Sequence, residues 1–466
     1  MEMENTLSTL VGENNFISEE NDNWYDTLAG VDGSIYGIPC NARRVVKFNP
    51  VNKSITHIGP DFGGKSRKWQ RGAMADNRSI YCPPCNRSYG ILKIDTSTDD
   101  VTVLDANFLP ERGRYDGMWI SCALALDGCI YFMPGMARRI IKLDPNNNDA
   151  ITSVGDDLGG GWKYNGTMVG IDGCVYGIHC DSNRIVKYDP INDTTSFFEE
   201  EGNQHCEYDP INDITSFVGN KYYGCTGNGV LGRDGFIYAL VGRDRVSVLK
   251  IDTMNDSHCF VGYTVDDANR SENQSFTMAS SWGDAILGID GCIYWPPDTA
   301  LYILRYDPYS NQISNVGDSL GWWTDQWCSG ALAPDGSIYC IPSRRLNHIL
   351  CIDPLKEFST TVKNDMEENP KEFGCLFHVS EDLDKRGSSP LKTNFDHAVM
   401  KFGQNKVFDV LDKHLESLEK VCIESNLYPF MIVASSKYST LCAILHFLRR
   451  DLSWVNYFRR LEKVNV

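Results

Sequence analysis

The chain has 466 residues, 42% of them hydrophobic and 23% charged, a globular composition that excludes collagen, coiled coil and wholesale disorder. With 44 Lys and Arg against 62 Asp and Glu the formal charge is -18, so a phosphate backbone or an anionic bilayer repels it, and nucleic acid and membrane drop out as main partners. The 17 Cys are an odd number and are expected as free thiols in a cytoplasmic protein, because no basic, apolar leader precedes them. No apolar run nears the ~20 residues of a bilayer span; the best is Phe430 to Ala434.

Residues 1–23 form an acidic arm. Within it Leu7-Ser8-Thr9-Leu10-Val11-Gly12 reads as a lone strand, and it matches a phrase that recurs later as the fourth strand of a repeat. It is therefore expected to pair near the last repeat and close a ring.

From residue 24 one phrase recurs seven times, beginning at Asp32, Asn77, Asp127, Asp172, Asp234, Asp290 and Asp335, as in Asp32-Gly33-Ser34-Ile35-Tyr36. The intervals are 45, 50, 45, 62, 56 and 45 residues. The longest holds its own duplication: Tyr188 to Phe197 (YDPINDTTSF) returns 20 residues later as Tyr208 to Phe217 (YDPINDITSF). Asp-Gly between apolar runs predicts a tight hairpin of type I′, with positive φ at both central residues. Two positions before each phrase stands a small residue (Gly30, Ala75, Ala125, Gly170, Gly232, Gly288 or Ala333), as expected for an innermost strand crowded against a central axis. A β-branched run ending in Asp-Pro or its equivalent, such as Val45-Val46-Lys47-Phe48-Asn49-Pro50, gives a third strand, and Ser54 to Gly59 a fourth.

Four strands every ~45 residues, seven times over, predict a mainly β chain with a seven-bladed β-propeller over residues 24–365. Blade seven also has a weak fourth strand of its own at Phe358 to Val362. The D-G-x-I-Y hairpin followed by the apolar-Lys-x-Asp-Pro strand resembles a multi-copy group of uncharacterised propeller-repeat proteins of unicellular algae, and the resemblance covers about three quarters of the chain. It implies the propeller fold and no activity. The Gly-Gly doublet of kelch repeats is absent, as are the Gly-His and Trp-Asp marks of WD40 repeats and the Glu-Gly-Pro entry of calcium-dependent propeller lactonases.

Residues 366–394 turn polar and charged and read as a linker. From 395 to 466 the apolar period becomes helical, with Leu441, Ile444, Leu445 and Leu448 on one face. Tyr428 to Ala434 with Leu441 to Leu445 resembles a degenerate ankyrin-like helix pair. Residues 366–466 carry 14 basic and 14 acidic side chains, so the whole negative excess lies in residues 1–365.

Cys82-Pro83-Pro84-Cys85 has redox or half-zinc spacing, yet each Cys falls in a repeat column that other blades fill with Cys or Gly, and no second pair completes a site. The five propeller histidines, His57, His179, His205, His258 and His348, lie at unlike places in their repeats. No catalytic residue, metal or cofactor is expected. The tunnel reads as apolar, with Asp76 and Arg233 as isolated charges.

Two columns remain. Eight residues before each phrase stand Trp24, Trp69, Trp119, Tyr164, Thr226, Trp282 and Trp327. The six aromatics either wedge between blades or ring one tunnel mouth as a binding surface, where Asp61, Asp156, Asp157 and Asp318 on the same loops would favour a basic ligand. The other column, Lys47, Lys93, Lys142, Lys187, Lys250 and Arg305, is followed two residues on by Asn49, Asp95, Asp144, Asp189, Asp252 or Asp307; because i and i+2 share a strand face, a local ion pair or turn brace is expected. The functional expectation is a non-catalytic, monomeric scaffold that binds a protein partner through its loop rims; the alternative is a propeller hydrolase or lyase acting on a small molecule at the tunnel mouth.

Overall fold

The computed structural model describes residues 7–11 and 24–354, leaving out 65–66, 87, 106–117, 180–183, 199–205, 210–213, 218–226, 242–246, 264–280, 309, 322–325, 344–345 and 347. The expected linker, the ankyrin-like tail and the strand at Phe358 to Val362 lie outside the described residues.

Seven four-stranded antiparallel sheets make the blades of a β-propeller. Blade one is representative: Trp24–Ala29 innermost, then Ile35–Pro39, Val45–Phe48 and Ile55–Ile58 at the rim. In blade seven the innermost Ala331–Leu332 is followed by Ile338–Cys340 and Ile349–Ile352, and the fourth strand is the N-terminal Ser8–Val11. Ser8 pairs with Ile352 and Val11 with Ile349, so the two ends of the propeller segment are joined by one ladder. Leu7, beside this strand, is buried in the core between blades six and seven.

The core is a series of apolar seams between neighbouring blades, such as Trp24, Val46 and Phe48 of blade one against Ala331, Tyr339 and Ile349 of blade seven. The strand pattern accounts for this: second strands such as Ile35–Pro39 are buried along their whole length, whereas rim strands such as Ile55–Ile58 are partly exposed.

The hairpins differ from the expected type I′. Gly30 O accepts from the Gly33 N–H at 3.1 Å, Gly30 N–H donates to Ser34 O at 2.8 Å, and only the glycine of the Asp-Gly pair has positive φ (78°). This is a three-residue loop, a type I turn closed by a left-handed residue. The aspartate side chain explains the choice, because Asp32 Oδ1 accepts the Ser34 N–H at 3.0 Å, a brace repeated by Asp127, Asp172, Asp290 and Asp335. The small column has a local cause too. A Cβ on Gly288 would lie 2.5 Å from Asp290 Oδ1 and 2.7 Å from Tyr294 Cε2, so at this position glycine leaves room for the hairpin's own aspartate and tyrosine.

That tyrosine is one part of a latch. In blade three Tyr131 Oη donates to Asp127 Oδ2 at 2.8 Å and Lys142 Nζ reaches the same oxygen at 2.8 Å. Burial alone would raise the Asp127 carboxyl; these bonds outweigh it and hold the group below the usual carboxylate range. In blade one Lys47 bridges Asp32 at 2.8 Å and Asp99 of blade two at 2.7 Å. Likewise Lys93 pairs with Asp149 of blade three, and Lys187 with Asp172 of its own blade and Asp256 of blade five. Lys47, Lys93, Lys142 and Lys187 are therefore bound by acids other than the residue two places on. The acids two places on cap their own turns instead, as when Asp189 Oδ1 accepts the Ile191 N–H at 2.8 Å. The turn residues Asp99, Asp149, Asp193 and Asp256 all hold positive φ, a conformation Asp tolerates better than most side chains.

The junction of blades seven and one reverses the charges. Cys351 stands where the lysine would be, and Lys53 of blade one, also at positive φ (58°), donates to Tyr339 Oη at 2.8 Å.

Removing residues 1–11 is expected to lower stability by at least the ~2 kcal/mol carried by one buried leucine, and to speed amide exchange in Ile349–Ile352. Urea unfolding and hydrogen exchange of the truncated chain measure both; unchanged exchange in Ile349–Ile352 would show that the N-terminal strand does not hold blade seven.

Candidate functional site

The aromatic column is packed inside the disc. Trp24, Trp69, Trp119, Tyr164, Trp282 and Trp327 are all at most 4% exposed. Each indole N–H donates to a carbonyl at the start of the third strand: Trp24 to Arg44, Trp69 to Gly90, Trp119 to Arg139, Trp282 to Tyr302 and Trp327 to His348, at 2.8–3.3 Å. The rings wedge between neighbouring blades and offer no open aromatic surface at the mouth. Thr226 of this column lies outside the described residues. On the same loops Asp61 is paired with Arg43, and Asp157 with Arg138 at 2.9 Å, which neutralises two of the acids expected to attract a basic ligand.

Two residues after each aromatic the chain builds a different feature. In blades one, three and four the register slips just past the aromatic, a bulge between Trp24 and Asp26, Trp119 and Ser121, and Tyr164 and Gly166. Bulges re-aim side chains, and here the next residues enter a polar network across the axis.

Arg71 of blade two, 1% exposed, forks onto Asp284 of blade six through Nε at 2.9 Å and Nη2 at 2.8 Å. Its Nη1 donates to the backbone and side-chain oxygens of Asn165 in blade four, both at 3.1 Å. Asp284 Oδ1 also accepts the Asn228 N–H of blade five at 2.7 Å. Asn228 Oδ1 in turn accepts from Ser121 Oγ of blade three at 2.9 Å and the Thr167 N–H of blade four at 3.0 Å. Asp26 of blade one accepts from Ser329 Oγ of blade seven at 2.7 Å and from the Gly72 N–H of blade two at 3.0 Å.

All seven blades thus contribute to a largely buried polar knot, two hydrogen-bonded sets joined where Arg71 adjoins Gly72, which corrects the expectation of an apolar tunnel. The repeat gave no sign of it because the column six residues before each phrase reads Asp26, Arg71, Ser121, Gly166, Asn228, Asp284 and Ser329, with no residue type in more than two of seven positions. The signal that could have found it is polarity in six of seven positions of an otherwise apolar strand.

Burial, with the Asp284 charge adding, pushes the Asp26 carboxyl up to about 6, against the hydrogen bonds from Ser329 and Gly72 and the Arg71 charge. Arg71 stays a cation: its burial is outweighed by Asp284, Tyr25 and Asp26. A bidentate guanidinium–carboxylate pair of this kind is strong when satisfied and costly to break.

The remaining chemical candidates gather into no group of three or more among the described residues. Cys82 and Cys85 are buried and form no disulfide, and burial pushes the Cys82 thiol well up. His179 is buried and lowered to about 4 by burial and by His258; His57 packs on Trp24 in blade one, and His205 lies outside the described residues. Among the described residues no group of three or more His, Cys, Asp or Glu could hold a metal ion.

No family model matches the chain, and no curated protein matches it. Solved structures do. A streptogramin B lyase is 14% identical with a TM-score of 0.53, over 74% of this chain and 96% of that one. Virginiamycin B lyase from Staphylococcus aureus with quinupristin gives 13% and 0.52 over 74% and 98%. The WD40 repeats of RRP9 give 10% and 0.51 over 74% and 97%. At these identities the likeness is one of fold, and it spans enzymes and WD40 repeats alike.

Two outcomes test the knot. Arg71→Met leaves Asp284 buried without its cation and is expected to cost about 3–5 kcal/mol in urea unfolding. For Asp26 the folded value of about 6 lies above the ordinary 3.8, so the folded state binds the proton more tightly. Its contribution is largest below pH 3.8, falls as pH rises to about 6, and is flat above, a total loss of about 3 kcal/mol. Asp26→Asn should remove that slope, whatever constant offset the amide brings. Coincident slopes for the two proteins between pH 4 and 7 would mean that Asp26 titrates normally.

Proposed function

We propose that the chain is a non-catalytic propeller scaffold that recognises a protein partner through its rims. The observation that carries this is the axial knot: the polar groups of the column two residues after the aromatics are engaged with one another between blades. The groups are held in position by folding alone, which suits a rigid platform.

The partner face in this reading is the one bearing the Asp-Gly hairpins and the turns between third and fourth strands, which a four-stranded meander places at the same end of the disc. Val51 and Ile191 stand at the tips of two of these turns, 92% and 69% exposed. Around Ile191 the turn carboxylates Asp189 and Asp193 engage backbone or hydroxyl donors of their own turns and neighbours, so the surroundings stay acidic. An apolar tip among carboxylates, as at Ile191, fits a segment that alternates basic and apolar residues.

Isothermal titration with a Lys-Leu peptide and its Glu-Leu counterpart tests this. The basic peptide is expected to bind and to weaken with salt, and V51K/I191K to weaken it about tenfold with no change in melting, because both tips are exposed. Equal behaviour of the two peptides would remove the reading.

One observation favours the alternative of an enzyme acting on a small molecule at the mouth: a carboxyl poised near 6 is what general acid–base catalysis uses. In that case Asp26→Asn abolishes a turnover that the parent shows, and leaves peptide binding unchanged.

A further inference from the structure

Blade four is where the chain encodes one element twice. Its third and fourth strands are Ile185–Asp189 and Thr194–Phe198. The second copy of the same phrase forms a separate two-stranded sheet, Cys206–Asp209 with Ile214–Phe217, and pairs Tyr208 with Thr215 just as the first copy pairs Tyr188 with Thr195. A two-stranded hairpin alone is marginally stable in water, whereas the same hairpin laid on Val175–His179 is held by a ladder and a core seam.

We propose that blade four has two interchangeable outer hairpins, the second copy being able to take the slot that the first one fills. The hydrogen bonds that join the slot to Gly155 and Asp156 of blade three come from side chains encoded twice. Tyr188 Oη donates to Asp193 at 2.9 Å, Asp193 accepts the Gly155 N–H at 3.0 Å, and Thr195 Oγ1 accepts the Asp156 N–H at 3.1 Å. Tyr208, Asp213 and Thr215 occupy the same places in the second copy.

The two copies differ where the choice between them is made. Lys187 sits 3.0 Å from Asp172 and also pairs with Asp256. The second copy has Glu207 at that place, which sets a third carboxylate against two. It also brings His205 for Ile185 and Cys206 for Val186, two positions that are at most 3% exposed. The first copy therefore holds the slot, and the second is a minor occupant at about 1% or less.

Hydrogen exchange on the full-length chain tests this against K187E/E207K, which exchanges the charges of the two copies. Protection is expected to leave residues 185–198 and appear on 206–217. Protection remaining on 185–198 in a variant that still melts cooperatively overturns the proposal. A second chain lacking residues 185–204 has only the second copy to place behind Arg184. It is expected to fold with a lowered melting temperature that E207K raises; a chain unfolded with and without E207K also overturns the proposal.

Discussion

A ring of near-identical blades depends on each blade being held by its neighbour, and here that constraint is met by carboxylates passed from blade to blade across the seams. The lysine at the centre of a third strand is offered the aspartate of its own hairpin, the aspartate of the next blade's turn, or both, with the hairpin tyrosine beside them. Partly buried ion pairs of this kind add little singly, but a shared carboxylate fixes the spacing between blades as well as the charge balance. The reversal at the last seam follows from the same rule. Where Cys351 removes the cation from blade seven, the turn of blade one supplies Lys53 instead of an aspartate, so Tyr339 still has a partner from across the seam.

The blade count, the hairpin positions and the N-terminal strand were legible in the sequence because each depends on a residue type recurring at a fixed interval. Asp-Gly, the Ile-Tyr that follows and the phrase at Leu7 to Gly12 are patterns of that kind. Partners across a seam are not. Adjacency along one strand pointed from Lys47 to Asn49, yet the aspartate that binds the lysine, Asp99, is 52 residues away and in another blade. Adjacency in sequence says which face a side chain shares and nothing about which blade packs on that face.

The axial knot was hidden for the opposite reason. Blades that converge on an axis cannot all present the same charged residue there, since seven like charges would repel; they must present complements. Asp284 answers Arg71, Asn228 answers Ser121, and Ser329 answers Asp26. A column of complements looks like noise to a search for identity. Its informative property is the polar class of the residues at a depth where their neighbours are apolar.

Complementarity at the axis also gives each blade an identity that the repeat alone withholds. Seven interchangeable blades could assemble in several cyclic orders, or trade places between two chains, with the same apolar seams. A knot in which blade two must face blades four and six, and blade three must face blade five, is satisfied by one order only. A misplaced blade would leave a buried guanidinium or carboxylate without its partner, at a cost comparable to much of a domain's net stability. The buried polar network thus specifies arrangement more than it adds stability, and the N-terminal strand on Ile349–Ile352 then seals the order that the knot selects.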